Sequence, residues 1–307
     1  MFEAVPNISE GRDYGLIGAI ADTVASVEGV MLLDVSSDPD HNRTVLTYVS
    51  EREDAIVRAT LGLFEIAVRN IDLRSHDGEH PRVGAVDVCP FVPLQESSMD
   101  SCVRLSERVG IEVNGRFGVP VFLYEAAARA EHRRALPAIR RGGLDGLREK
   151  MSGAEWRPDF GQAELHPSAG VSVIGARDIL VAFNMQLETD DLEVARAVAR
   201  ATRQSSRGLP EVRALGMRLS HRDLVQVSMN LLDFRVTGLL TAFERVSELA
   251  AQRGVAIRSS EIVGLAPRAA MPDDPRSSIL LEDHGRRLVL EDRIEEVSKG
   301  LVRERSG

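Results

Sequence analysis

Strand-like and helix-like runs recur twice along the 307 residues in one order, and this repetition restricts the fold more than any other feature. In the first half, FEAVPNI (2–8) reads as a strand stopped by Ser9-Glu10-Gly11. The next segment sets Ile17, Ile20, Ala21, Val24 and Val27 along one helical face. VMLLDV (30–35) and RTVLTYV (43–49) are paired strand-length runs, separated by the turn-forming string Ser37-Asp38-Pro39-Asp40. Helical spacing returns over 52–69, through Ile56, Ala59, Leu63, Ile66 and Ala67. A strand near 83–92, a helix carrying Met99, Cys102, Val103 and Val109, and a strand at 119–124 follow.

The second half offers a strand in 178–187, a helix in 191–204 and strands near 211–219 and 222–230. A helix with Leu239, Phe243, Val246 and Ala250 then precedes a strand near 256–264. Each half therefore contains βαββαβ, the split-βαβ order. The expected fold is α/β (α+β): two ferredoxin-like subdomains, 1–177 and 178–307, with mixed sheets packed under helices. Two such units facing one another would leave a groove, a common seat for a small molecule. Residues 125–170 read as one helix near 136–150 followed by an irregular loop at 156–170. After 265 the pattern weakens, with RRLVL (286–290) suggesting a strand and EDRIEEVSKGLVRE a short terminal helix.

The net charge of −9 argues against nucleic acid as partner, because a phosphate backbone calls for a basic face. Cys89 and Cys102 form no CxxC pair and are too few for a disulfide scaffold, so two reduced, buried thiols are expected. No apolar run approaches the ~18 residues of a membrane span. The opening MFEAVPNISEGRD lacks the basic and apolar regions of a signal peptide, which points to a cytoplasmic address.

Reactive side chains are densest in RSHDGEHPRVGAVDVCP (74–90), which holds His76, Asp77, Glu79, His80, Arg82 and Asp87. His76-Asp77-Gly78-Glu79-His80 formally matches the HxxEH zinc motif, which needs a helix. Gly78 inside the string and Pro81 directly after it oppose one. Imidazole titrates near neutrality and suits acid–base work. A neighbouring carboxylate would hold its tautomer and raise its pKa, while Arg82 is suited to an anionic group. A second cluster, SSDPDHNRT (36–44), contains His41, Asn42 and Arg43 in a turn, and Asp34 ends the preceding strand. Turn formation alone explains much of its composition. The third, GQAELHPSAGVSVIGAR (161–177), allows close backbone approach to a ligand, and Gly175-Ala176-Arg177 resembles the start of a phosphate loop. Neither GxGxxG nor a P-loop is present.

Taken together, these strings closely resemble the formiminotransferase domain of the glutamate formimidoyltransferase family, in its bacterial stand-alone form. The resemblance runs over about residues 4–267, through VPNISEGRD, LLDVSSDPDHNRTV, HDGEHPRVGAVDVCPFVP, VPVFLYEAA, RRALPAIRRGG, WRPDFG, HPSAGVSVIGAR, LVAFNMQL, QVSMNLLDFRVT and SSEIVGLAP. It implies a homodimer that transfers a formimino group from N-formiminoglutamate to N5 of tetrahydrofolate, the co-substrate, without a metal. The catalytic histidine of the GEHPR string is His80 here. The folate-contacting stretch maps onto Gly161, Gln162, Ala163, Glu164, Leu165, His166, Pro167, Ser168, Ala169 and Gly170. Asp34, His41, Asn42, Arg43 and Arg82 are candidates for positioning substrate. Two departures from animal members stand out: Ala169 replaces a Trp, and Ser36 replaces an Asp. Formyl transfer between 5-formyltetrahydrofolate and glutamate, and a non-catalytic folate-binding role, are the alternatives.

Overall fold

The computed structural model describes residues 1–219, 224–282 and 287–306. The chain divides into two compact units, Met1–Asp178 and Ile179–Gly307. Among the described residues no helix is long and apolar enough to cross a membrane.

Unit 1 is built on β1 (Phe2–Ala4), β2 (Asn7–Ile8), α1 (Tyr14–Ala25), β3 (Val30–Asp38), β4 (Arg43–Ser50), α2 (Glu53–Asn70), β5 (Val86–Pro93) and α3 (Met99–Phe117). β6 (Val121–Glu125), α4 (Leu136–Arg140), α5 (Gly143–Met151) and β7 (Ser172–Ala176) complete it. The first expected strand is two pieces because Pro6 carries no N–H for the ladder. The register nevertheless continues through the break: Ala4 faces Tyr48 and Phe91, and Asn7 faces Val45 and Val88. The broken strand lies between β4 and β5, antiparallel to both, with β3 outside β4. That is the split-βαβ arrangement, extended by the parallel strands β7 and β6 beyond β5.

Three local expectations are corrected. SVIGA (Ser172–Ala176), which overlaps the segment likened to a phosphate loop, is β7, inserted between β5 and β6. A Cβ on Gly175 would lie 2.3 Å from the Tyr124 carbonyl oxygen, so this glycine serves strand packing. The single helix near 136–150 is two, because Gly142, between α4 and α5, takes a left-handed φ of 85° and Gly143, the first residue of α5, one of 62°, which a continuous helix does not allow. RRLVL is not a strand: Val289 makes one isolated bridge with Ala266 and α9 (Leu290–Ser306) starts next to it, while Arg286 lies outside the described residues.

Ile20, Val24, Ile56, Leu63, Phe64, Cys102, Leu105 and Val109 bring α1, α2 and α3 onto one face of the sheet. The opposite face of β5, β6 and β7 is covered by α4 and α5, through Val88, Phe122, Val173, Ile139, Leu147 and Met151. Cys89 and Cys102 are both buried and unpaired, and burial pushes both thiols up, Cys102 to about 12.

Unit 2 contains β8 (Val181–Leu187), α6 (Leu192–Thr202), β9 (Val212–Leu219), β10 (Leu224–Leu231), α7 (Leu239–Ala251), β11 (Ile257–Val263), α8 (Pro275–Ser278) and α9. Its antiparallel order, β11-β8-β10-β9, is that of a split βαβ. Residues 222–223, assigned above to a strand, lie outside the described residues. Ile279, Leu281 and Leu288 join the core of this unit, so the weakly patterned segment after 267 completes it.

Candidate active site

The three polar clusters all lie in unit 1, and the topology explains why. β2 runs antiparallel between β4 and β5, so the starts of β4 and β5 fall beside the end of β2. β7 runs parallel to β5 and starts at the same end. Strand direction thereby gathers residues 9–13, 38–43, 76–85 and 166–171.

Backbone contacts hold these loops together. Asn42 takes a left-handed φ of 46°; its Oδ1 accepts from the Gly11 N–H at 2.9 Å, and its Nδ2 donates to the Asp77 carbonyl at 2.8 Å. Arg12 donates to the Pro39 carbonyl and to Asp77 Oδ1. A Cβ on Gly78 would sit 2.6 Å from the His41 carbonyl oxygen, so this close approach requires glycine. Val83–Ala85 pair with Ala169–Val171: Ala85 N–H donates to the Ala169 carbonyl and Val171 N–H to the Val83 carbonyl, both at 2.9 Å. Residues His166–Gly170 close a tight turn, in which His166 Nδ1 accepts from the Ala169 N–H at 3.0 Å.

His80 is half-buried, and its Nε2 lies 2.7 Å from an Arg43 guanidinium nitrogen. Arginine has only donors to offer, so Nε2 accepts and the imidazole is neutral with its proton on Nδ1. The expectation of a neighbouring carboxylate that raises this pKa is overturned. Burial, then Arg43, Arg140 and His41, hold His80 well below the ordinary imidazole value. His41 is 1 % exposed and its ring centre lies 5.9 Å from that of His80. Burial lowers its pKa to about 4 against the opposing pull of Asp38. Arg82 donates to His76 Nδ1 at 2.7 Å and to the His41 carbonyl.

His41, Asn42, Arg43, His80 and Arg82 therefore form one connected group. Asp34 stands apart along β3, opposite Thr47, where it accepts from the Ser36 hydroxyl at 2.6 Å. Residues 74–82 form no helix, which removes the geometry the HxxEH reading needs. Of the folate stretch, Gly161–Glu164 are exposed, whereas Ala169 is 1 % exposed and packs into the main core. Sequence reasoning missed Arg140, which pairs with the buried Asp87. The available signal was Asp87 itself, an acid inside an apolar strand that needs a buried cation.

A family model for the formiminotransferase domain, N-terminal subdomain, matches residues 1–177, and one for the formiminotransferase domain matches 182–295. This chain belongs to the formiminotransferase family. It is 41 % identical over 281 residues to a glutamate formimidoyltransferase of Streptococcus pyogenes, covering 92 % of this chain and 94 % of that protein. The corresponding enzyme of Thermoplasma acidophilum is 41 % identical over 300 residues, covering 97 % and 98 %. A formimidoyltransferase-cyclodeaminase of Sus scrofa is 43 % identical, and the match covers 94 % of this chain and 56 % of that longer protein. In this formiminotransferase-family chain the Ala169 methyl lies in the core, so the side chain at this departure presents no face on which a ligand could stack.

Proposed function

We propose that this protein transfers the formimino group of N-formiminoglutamate to N5 of tetrahydrofolate, releasing glutamate. Family membership and near full-length similarity to two glutamate formimidoyltransferases support the reaction. The neutral His80, held by Arg43 at the meeting point of the three polar clusters, is the observation that carries the mechanism.

The folate nitrogen attacks the amidine carbon, forming the new C–N bond and a tetrahedral centre. His80 takes the proton from that nitrogen and returns it to the departing glutamate nitrogen as the old C–N bond breaks. Acid–base help of this kind contributes roughly 10²–10⁴-fold. In the unliganded protein the Nε2 lone pair is occupied by Arg43. A substrate carboxylate that recruits this guanidinium, the stronger bidentate partner, frees the base as it binds. Arg82, Asn42 and His41 shape the same site. Gly161–Gly170 is the folate-contacting stretch in this reading, supported by the pairing of its last turn with the loop after His80.

Incubation of the protein with tetrahydrofolate and formiminoglutamate tests the proposal: glutamate release is expected, slowed about 10²-fold or more in His80→Ala. Turnover confined to 5-formyltetrahydrofolate plus glutamate would replace the reaction and keep the site. Folate binding without either turnover would replace the enzyme reading.

A further inference from the structure

The 166–170 turn grips the His80 loop at both ends. Before the loop, the Leu73 N–H donates to the Ser168 carbonyl at 2.8 Å. After it, the Ala85 N–H donates to the Ala169 carbonyl and the Val83 carbonyl accepts from the Val171 N–H, both at 2.9 Å. Residues 74–82, which carry His76, His80 and Arg82, therefore span two anchors on one turn. The contact is close: a Cβ on Gly170, whose φ of 67° is left-handed, would lie 2.3 Å from the Val83 carbonyl oxygen.

The turn itself is closed from within by one side chain. Pro167 has no N–H, so the backbone donors inside the turn are those of Ser168 and Ala169. Both meet His166 Nδ1, at 3.4 and 3.0 Å. A ring nitrogen that accepts carries no proton, which places the imidazole proton on Nε2. The His166 N–H to Gly170 carbonyl bond, 2.8 Å, and its return bond from the Gly170 N–H, 3.1 Å, complete the closure. Ala169 is shielded from solvent, so without the ring nitrogen its N–H would be left buried and unmet, which is costly.

We propose that His166 is a positioning residue for the reaction: by accepting from two N–H groups of its own turn it sets the anchors of the His80 loop, and through them the place of the His80 imidazole against Arg43. The inference rests on the reading of His80 as the acid–base group. His166 Nδ1 acts as the side-chain oxygen does in an Asx-turn, a local stand-in for a backbone acceptor. Its influence on the chemistry is geometric. Proton transfer needs the base within hydrogen-bond reach of the reacting nitrogen, so a small displacement of the loop lowers the rate without removing any reacting group.

Three substitutions separate the position of the acceptor from side-chain bulk. His166→Asn puts an oxygen where Nδ1 stands, His166→Gln puts one where Nε2 stands, and His166→Leu has no acceptor. Assayed as folded proteins well below their melting temperatures, His166→Asn should stay within about threefold of the wild-type kcat, while His166→Gln and His166→Leu should lose about tenfold or more. A role in stability alone would leave kcat of the folded variants unchanged. Histidine-selective nitrogen NMR on the full chain adds a readout that needs no turnover. Wild-type His166 should be the Nε2–H tautomer, a measurement that depends on no variant folding. The His80 signal, assigned by its loss in His80→Gln, should hold its place in His166→Asn and move in His166→Leu. An Nδ1–H tautomer at His166, wild-type kcat in folded His166→Gln and His166→Leu, or an unmoved His80 signal in His166→Leu would overturn the inference. Normal turnover in His80→Ala would strike the acid–base reading and with it the catalytic part of the inference, a result distinct from either NMR outcome.

Discussion

The Arg43 guanidinium and the His80 imidazole are joined nitrogen to nitrogen at 2.7 Å, with the arginine donating and the ring accepting. Two groups that the sequence suggests for separate duties, substrate positioning and proton transfer, thus control one another. The histidine is stored as a base whose lone pair is covered by the residue best suited to greet a carboxylate.

His80→Ala is expected to keep the fold and lower kcat by about 10²-fold or more. Steady-state kinetics paired with a thermal melt checks it; near-wild-type turnover in a folded variant would take His80 out of the mechanism.

Because burial and Arg43 favour the neutral ring, the acidic limb of kcat/KM should lie below the ordinary imidazole value. Arg43→Met removes one opposing charge and should move that limb up in pH while raising KM. A limb left in place would show that the guanidinium does not control the base.

His41 links the site to stability. Its pKa is about 4 in the folded chain and returns to 6.5 on unfolding, so between those values the unfolded state binds the extra proton. Its contribution is complete above about pH 6.5 and is lost as pH falls toward about 4, amounting to roughly 3 kcal/mol. Urea melts at stepped pH should show this loss in wild type and a correspondingly flatter dependence in His41→Gln. Parallel curves for the two proteins would count against it.

Gly84→Ala tests the pairing of the His80 loop with the 166–170 turn. The added Cβ would meet the Val171 carbonyl oxygen at 1.9 Å, and a backbone atom has little room to yield. A cost of about 3 kcal/mol, at the upper end for overpacking, is expected together with lost turnover. Unchanged stability by denaturant titration would show that the pairing gives way easily.

Much of this is legible from local pattern. The helical faces of Ile17, Ile20 and Val24, and of Ile56, Ala59 and Leu63, are buried where periodicity puts them. The strand-length runs at 30–35 and 43–49 form the β3–β4 hairpin, with Val30 and Leu33 of the first and nearly all of the second buried. The strand Ser172–Ala176 is not assigned from the sequence, where glycines flank a short apolar run and Gly175-Ala176-Arg177 resembles a phosphate loop. A strand buried on both faces shows no alternation to separate it from such a segment.

The chain order of these elements, and the presence of histidines, arginines and acids in three short strings, follow from the sequence alone, since propensity and spacing act over a few residues. The partners of those side chains do not. Arg43 meets His80, and Asp87 meets Arg140 over 53 positions, because β2 lies antiparallel between β4 and β5 and because α4 packs under the parallel strands. The sequence consequently suggests the wrong sign for the electrostatics of the candidate base. A carboxylate neighbour is the natural expectation from a string rich in acids, whereas in the folded chain Asp77 pairs with Arg12, Asp87 pairs with Arg140, and the Arg43 guanidinium is the group that meets the ring nitrogen. Periodicity is a local property; the field at a buried nitrogen is a sum over the whole unit.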